Sequence, residues 1–360
     1  AVEHGFGACF SWHDTATWYP WGRDVPASTP FGLPFTAAAI YLALNALGIK
    51  ASLLDVCIYM PPFMAALTCL AIYFYAKDVG GRGAGILAAL FLALNGAYIG
   101  RTTLGFFKHE CVGVLVIVLA SLFLLRAIRE GQSRRVSLAY SIAAGLSIAY
   151  LNISWGAYHF LLILMGLFGF AMLALGMYSR RLLASYCLAL GLGAALSAPF
   201  PSPGISLLTS ASFLLAALAA AAMAMYDLAT SKRPAKLKAV IIGGVAAAIV
   251  ASAAISAWAG YLSAPGGKFI RTVAPWAPLR VKPIIESVAE HAITTWASFY
   301  YQFGNLLIIA PIGFFFAFRR RKPEDIYLAL FAATSLYFAS SLVRLTLIMA
   351  PAFCALAAYA

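Results

Sequence analysis

Three short stretches hold the residue types that carry chemistry. Arg101-Thr-Thr-Leu-Gly-Phe-Phe-Lys108-His109-Glu110 gathers four ionisable side chains between two apolar runs, with Gly105 allowing a sharp turn. Ser287-Val288-Ala289-Glu290-His291 sets a carboxylate beside an imidazole, just ahead of Trp296, Phe299, Tyr300 and Tyr301. Arg344 stands alone between Leu336–Leu342 and Leu345–Ala360, with no opposite charge nearby in sequence. Burying a charge at membrane depth costs about 2.5–3.5 kcal/mol even on lenient scales, so such an Arg is expected to face a cavity or an anion. Phosphate is the anion that its planar fork suits best. Loop carboxylates combined with this Arg suit an enzyme that handles a phosphate-bearing substrate at one face of a membrane. The plainer alternatives are a solvated turn at 101–110 and an interfacial aromatic belt at 296–301.

The elements that must position these residues follow from composition. Of 360 residues, 63% are hydrophobic and 10% charged, against about 45–50% and about 25% in soluble domains. An all-α polytopic membrane protein is expected, and a soluble enzyme, a disordered tail and a disulfide-stapled secreted module are excluded. The net charge of +13 sits in short loops between apolar runs. There it orients spans by the positive-inside effect, with no nucleic acid as partner. The six cysteines are scattered without a C-x-x-C pair and read as small core residues.

Apolar runs fall at 33–48, 54–76, 83–98, 111–129, 136–153, 156–178, 182–199, 205–226, 239–262, 304–318, 326–342 and 345–360. Basic clusters at Lys77/Arg82, Arg126/Arg129/Arg134/Arg135, Arg180/Arg181, Lys232/Arg233/Lys236/Lys238 and Arg319/Arg320/Arg321/Lys322 alternate with weakly basic loops. That alternation puts 100–110, 262–303 and Arg344 on one non-cytoplasmic side. The 33–48 run follows the Pro-rich 26–34 stretch and reads as an interfacial helix, which leaves about eleven spans. His159 reads as a satisfied core or interface residue, and Asn152-Ile153-Ser154 as a structural, unmodified Asn-x-Ser sequence. The chain opens on Ala1 with no signal peptide, so a longer natural N-terminus is expected.

Several motifs, in order, resemble the catalytic subunit of the asparagine-linked oligosaccharyltransferase family, in its archaeal form. Trp12-His-Asp14-Thr-Ala-Thr-Trp18-Tyr19-Pro20-Trp-Gly22-Arg23 and Phe31-Gly32-Leu33-Pro34 resemble the first external loop. Tyr98-Ile-Gly-Arg101 through Glu110 resembles the second, where the family carries an acidic pair. Ser154-Trp155-Gly156-Ala-Tyr158 is similar to Trp-Gly-Gly-Tyr, and Ser287-Val288-Ala289-Glu290 to the Thr/Ser-Ile/Val-x-Glu motif of the fifth external loop. Tyr337-Phe338-Ala339, Val343-Arg344-Leu345 and Ala350-Pro351-Ala352 resemble the late spans.

The resemblance implies a GT-C-type transmembrane bundle in a cell membrane, with the active site on the extracytoplasmic face. It divides the chain into 1–53 (first external loop with its interfacial helix), 54–262 (bundle), 263–303 (fifth external loop) and 304–360 (late spans), with a C-terminal extracytoplasmic domain not included. The reaction implied is transfer of an oligosaccharide from a lipid-linked (poly)phosphate donor, of dolichyl or polyprenyl type, to Asn in Asn-x-Ser/Thr of an acceptor protein. Carried over by position, Glu290 holds the acceptor amide and Arg344 the donor phosphate. Glu110, with Glu290 and His109, holds Mn²⁺ or Mg²⁺. Lys108, Arg101, Ser287, Val288, His291, Trp155 and Tyr158 contact substrate. The chain departs from the family at Lys108, which stands where the leading Asp of the second-loop pair belongs. An ammonium cannot ligate a metal. Three alternatives follow: Glu110, His109 and upstream residues hold the metal; Lys108 meets the donor phosphate as a point charge; or the chain is a catalytically weakened paralogue. Outside this family, another polyprenyl-phosphate-sugar membrane glycosyltransferase is the nearest alternative, followed by a transporter or a scaffold.

Overall fold

The computed structural model describes residues 2–230, 290 and 292–360. The expected run at 239–262, the basic cluster at 232–238, Ser287, Val288 and His291 lie outside the described residues. Among those described, regular structure is helical apart from a small antiparallel pair, His13–Asp14 against Arg23–Asp24. The helices are α1 (Gly32–Ala46), α2 (Leu53–Gly80), α3 (Arg82–Ala93), α4 (Glu110–Ile128), α5 (Arg134–Ser154), α6 (Tyr158–Ala174), α7 (Arg180–Ser197) and α8 (Ala211–Thr230), then α9 (Trp296–Phe303), α10 (Leu306–Arg320), α11 (Pro323–Ser341) and α12 (Thr346–Tyr359). Serine caps mark three starts: Ser52, Ser133 and Ser179 accept from the backbone N–H of Asp55, Val136 and Leu182. Each satisfies a donor that the first helical turn leaves orphaned.

The helices pack as a bundle in which α5 lies against α4 and α7, α6 against α8 and α11, and α12 against α3, α10 and α11. In lipid there is no hydrophobic drive between helices, so close approach through small residues matters more. Gly313 of α10 shows it: a Cβ there would meet the backbone carbonyl of Leu356 in α12. Gly113 of α4 likewise leaves room for the indole of Trp155, which is buried at the end of α5.

The basic loops gather at one end of the bundle and become its structural ties. Arg126 donates to Asp78 at 2.6 Å, and Arg129 lies 3.8 Å from the same carboxylate. Arg181 donates to the backbone carbonyls of Arg129 and Gln132 at 2.5 and 2.9 Å. Arg320 binds the fully buried Asp325 through Nε and Nη2, at 2.6 and 2.5 Å, and reaches the Val79 carbonyl at 2.7 Å. The weakly basic turns at 95–109, 292–295 and 342–345, with Glu290, meet at the opposite end. Among the described residues the loops therefore fall at two chemically distinct ends.

The expected count of about eleven spans does not carry over helix for helix. By length and composition four described helices can cross a bilayer: α2, α4, α5 and α8. The α9–α10 pair, bent by 85°, makes a fifth if taken as one span. α1, α3, α6 and the Val343–Tyr359 helix are apolar but shorter. At one run the reason is local: α3 stops after 12 residues, about 18 Å at 1.5 Å per residue against a ~30 Å core. Asn95 then turns the chain by capping the next short turn, Gly96–Ile99, through Tyr98 N–H.

Two stability outcomes follow. Arg320→Leu strands the Asp325 carboxylate in the interior, with an expected cost of about 3–5 kcal/mol; thermal unfolding of the detergent-solubilised protein measures it, and an unchanged melting curve would refute the structural role of the pair. Gly113→Ala drives a methyl into the Trp155 ring, an overpacking expected to cost about 1–3 kcal/mol in the same assay.

Candidate functional site

Backbone ties bring three distant segments to one point. The turn after α3 is anchored twice. Asn95 Nδ2 donates to the Gln302 carbonyl at 3.2 Å, and Gly105 N–H, with φ +78°, donates to the Ile58 carbonyl of α2 at 3.0 Å. Thr102 is buried and its hydroxyl donates to the Tyr98 carbonyl at 2.8 Å. Phe107 packs with Val56, Met60 and Val112. The 101–110 stretch is thus an anchored turn, with Thr102 buried and Thr103–Gly105 and Lys108 exposed. On the other side, Ala292 O accepts from Val343 N–H at 3.0 Å, Thr294 N–H donates to Ser340 O at 3.3 Å, and the Thr294 hydroxyl donates to the Ala339 carbonyl. These bonds stitch the segment carrying Glu290 onto the end of α11 and the turn Val343–Leu345 that carries Arg344.

The result is one carboxylate facing three cations. Arg101 Nη1 donates to Glu290 Oε2 at 3.0 Å, Lys108 Nζ lies 3.9 Å from the same oxygen, and Arg344 Nη1 lies 3.9 Å from Oε1. Partial burial pushes the Glu290 carboxyl up, but the Arg101 hydrogen bond and the charges of Lys108, Arg101 and Arg344 outweigh it and hold the group below its ordinary range. Phe106 forms a shelf beneath two of the cations, with Arg101 and Lys108 at 5.5 and 5.0 Å from the ring centroid.

Beside this cluster a cavity of ≈ 240 Å³ is lined by Trp155, Gly156, His159, Phe160, Phe338 and Arg344, among others. Its walls are apolar and Arg344 brings a charge to it. Trp155 keeps its place against Gly113, and Tyr158 stacks on His159 at 4.1 Å between ring centroids. His159 Nδ1 is 2.7 Å from the buried Ser212 hydroxyl, which joins α6 to the start of α8. His159 was expected to be a core or interface residue; it is bonded as expected and also lines the cavity.

Of the site residues expected from sequence, Glu290, Arg101, Lys108 and Arg344 come together, and Trp155 lines the adjoining cavity with Arg344. Glu110 opens α4 two residues beyond Lys108 and forms no ion pair with the other described residues. His109 is largely buried. Burial pushes its imidazole down, against the pull of Glu110 and of the Ser154 backbone, and its Nδ1 has no hydrogen-bond partner among the described residues. Among the described residues no group of three or more His, Cys, Asp or Glu side chains could hold a metal ion. One carboxylate and one orphaned imidazole nitrogen fall short of the oxygen-rich shell that Mg²⁺ or Mn²⁺ takes, and the third expected ligand, Glu290, is engaged by cations. Among the described residues the expected divalent-cation ligands are therefore not gathered at one point. Phe106 was not singled out from sequence as a site residue, whereas Thr294 belongs to the Thr294-Thr295-Trp296 step that follows Glu290 in the resemblance to the fifth external loop. The ring shelf depends on tertiary placement.

The family profile described as Oligosaccharyl transferase STT3, N-terminal, matches residues 1–357. The chain is 32% identical over 366 residues to the dolichyl-diphosphooligosaccharide–protein glycosyltransferase subunit STT3B of Oryza sativa subsp. japonica, covering 99% of this chain and 50% of that protein. It is also 32% identical over 373 residues to the Arabidopsis thaliana STT3B subunit, covering 100% and 49%. The fold resembles the Archaeoglobus fulgidus oligosaccharyltransferase in its apo form, with TM-score 0.73, 20% identity, and 97% of this chain against 43% of that one. It also resembles AglB from the same organism in complex with an inhibitory peptide and a dolichol-phosphate, with TM-score 0.72, 19% identity, and 96% against 43%. At these identities the archaeal likeness is one of fold, and the sequence relatives named are plant proteins, so the archaeal form expected from the motifs is not established. The chain spans about half the length of the curated relatives it matches. It belongs to the oligosaccharyl transferase STT3 family, to whose N-terminal region its residues correspond.

Proposed function

We propose that the complete protein transfers an oligosaccharide from a lipid-linked phosphate or pyrophosphate donor to the side-chain amide of Asn in Asn-x-Ser/Thr segments, at the extracytoplasmic face of a cell membrane. The observation that carries this reading is the double position of Arg344, which lies against the Glu290 carboxylate and also lines the apolar cavity with Trp155, His159 and Phe338. A polyprenyl phosphate has the same two-part character, an anionic head joined to an apolar tail. The plant relatives are named as glycosyltransferases of a dolichyl-diphosphooligosaccharide, and one archaeal structure of similar fold is a complex with a dolichol-phosphate.

Each residue has a chemical task in this reading. An amide nitrogen is a poor nucleophile because its lone pair is delocalised into the carbonyl. The Glu290 carboxylate accepts the amide N–H and so favours a geometry in which that conjugation is weakened. Arg344, Lys108 and Arg101 stabilise the negative charge that grows on the departing phosphate, an electrostatic effect strongest where it is already in place before reaction. Trp155 shapes the cavity beside Arg344, Tyr158 packs on the His159 that lines it, and Ser287, Val288 and His291 flank Glu290 in the chain as acceptor contacts.

In the complete enzyme Glu290→Gln is expected to lower peptide glycosylation by about 100-fold or more, in line with the loss of one preorganised electrostatic contact. Mass spectrometry of an Asn-x-Thr peptide incubated with lipid-linked oligosaccharide measures it. Unchanged transfer, or a sugar delivered only to a non-peptide acceptor, would overturn the reading in favour of another polyprenyl-phosphate-sugar transferase. The pH dependence has a defined sign. The folded Glu290 carboxyl lies below its ordinary value of 4.5, so its charge persists as pH falls to that value and is lost only below it. The acid limb of kcat/KM, which reports the free enzyme, is expected below pH 4.5; Arg101→Met is expected to move it upward, and a limb already above that value in the wild type would contradict the assignment.

A further inference from the structure

At the basic end of the bundle the three arginines that close α10 differ in what they meet. Arg320 alone of the three forms an ion pair among the described residues, with Asp325, and it also holds the Val79 carbonyl. Its neighbours Arg319 and Arg321 are exposed. Each lies against a phenylalanine ring of its own helix, Arg319 at 5.9 Å from the Phe315 centroid and Arg321 at 5.5 Å from that of Phe318. A ring attracts a guanidinium by its charge and supplies no acceptor oxygen to its N–H donors. These two rings belong to two apolar stripes on α10. Ile308, Ile312 and Phe315 follow at helical spacing and lead to Arg319, while Phe314 and Phe318 lead to Arg321. All five apolar side chains are exposed. From Ile308 to Arg319 the helix rises about 16 Å, close to half of the ~30 Å hydrocarbon core. Each stripe thus ends on a cation, and the longer one is about as long as a leaflet is deep. Beside Arg319, between the ends of α10 and α12, lies a cavity of ≈ 470 Å³ lined by Phe316, Arg319, Arg320, Tyr359 and Ala360.

We infer that Arg319 and Arg321 bind the phosphodiester headgroup of an anionic glycerophospholipid whose acyl chains lie along the two stripes of α10. The match is one of charge and of shape. The segment 319–325 holds four cations against two carboxylates, Glu324 and Asp325, and Asp325 is already bound by Arg320. The balance left over is positive and sits where headgroups lie, a setting that attracts anionic lipid. A guanidinium is suited to a phosphodiester because its fork of donors meets two oxygens at once. A zwitterionic lipid brings an ammonium group back towards the same arginines and so loses part of the attraction. The diacyl body fits the paired stripes, whose side chains face outward with no helix over them among the described residues. A lipid seated there also bridges α10 and α12 at the cavity, and a ligand that binds the folded bundle stabilises it. The site lies at the end of the bundle opposite Glu290, so it stands independently of the reaction proposed above.

The experiment is native mass spectrometry of the complete protein in detergent, titrated with phosphatidylglycerol, with phosphatidylcholine of the same acyl chains, and with glycerophosphoglycerol, the headgroup without its chains. Phosphatidylglycerol is expected to bind about tenfold or more tightly than either of the others, as two arginines near a membrane surface predict. Equal binding of phosphatidylcholine would overturn the charge assignment, and equal binding of the free headgroup would overturn the lipid. The double variant Arg319→Gln/Arg321→Gln is expected to weaken phosphatidylglycerol binding by about the same tenfold. Arg319→Lys/Arg321→Lys, which keeps the charge, is expected to recover part of it. The matched control is Arg134→Gln/Arg135→Gln at the start of α5, also exposed cations of the basic end, and it is expected to stay within about twofold of wild type because the attraction falls off over a Debye length. Equal losses in the two Gln pairs would mean that diffuse positive charge attracts the lipid, and would overturn the site. Circular dichroism checks that each variant is folded. Thermal unfolding gives a second reading: phosphatidylglycerol is expected to raise the melting temperature of the wild type and of the Arg134/Arg135 control, and to do so by less than half as much in Arg319→Gln/Arg321→Gln.

Discussion

The ion contact between Glu290 and its three cations is the constraint on which the rest of the site depends. Its members come from three parts of the chain: the turn between α3 and α4, the segment ahead of α9, and the turn between α11 and α12. Side-chain charge alone would not hold such a contact, because an exposed pair typically contributes only about 0–1 kcal/mol. The backbone bonds do the positioning. Ala292 and Thr294 are fixed to Val343 and Ser340, and Asn95 and Gly105 to Gln302 and Ile58. The charges then meet at short range because the backbone leaves them no alternative.

The two ends of the bundle use cations differently, and the difference explains why one is structural and the other is a candidate site. At the basic end each key Arg has a committed acceptor: Asp78 for Arg126, Asp325 for Arg320, and backbone carbonyls for Arg181. There the carboxylates are matched and the contacts are short. At the other end the Glu290 carboxylate is outnumbered by the cations facing it, and two of them stand back from it.

Much of this was legible in the sequence because hydropathy and charge placement are local signals. The runs expected at 111–129 and 136–153 correspond to Glu110–Ile128 and Arg134–Ser154, and the basic loops segregate to one end as the alternation required. Asn152, expected to be structural, is buried and donates to the Gly193 carbonyl and the Ser197 hydroxyl at 3.4 and 3.1 Å. The number of membrane-length spans was less legible. An apolar run does not report where a side chain such as Asn95 caps the chain and ends the helix early. Within the site, Arg344 and Glu290 were visible because a lone charge beside apolar runs demands an explanation. The Phe106 shelf and the burial of Thr102 were not, since both arise from how the 101–110 turn packs on α2 and α9, and a list of polar residues at a loop cannot distinguish that from a solvated turn.

Lys108 follows from this balance and need not be a defect. An acidic residue at this position, beside Glu110 and near Glu290, would bring a third carboxylate to the neighbourhood and require a cation to hold the group together. A lysine reverses the requirement, because its ammonium neutralises Glu290 directly and the vicinity then lacks an anion. In the proposed reaction both arrangements place positive charge beside a departing phosphate, one through a Lewis-acidic ion and the other through side chains already in place. They differ in what must be present before the donor arrives. With Lys108 the charge is part of the chain, set over Phe106 and 3.9 Å from Glu290, the carboxylate proposed above to hold the acceptor amide.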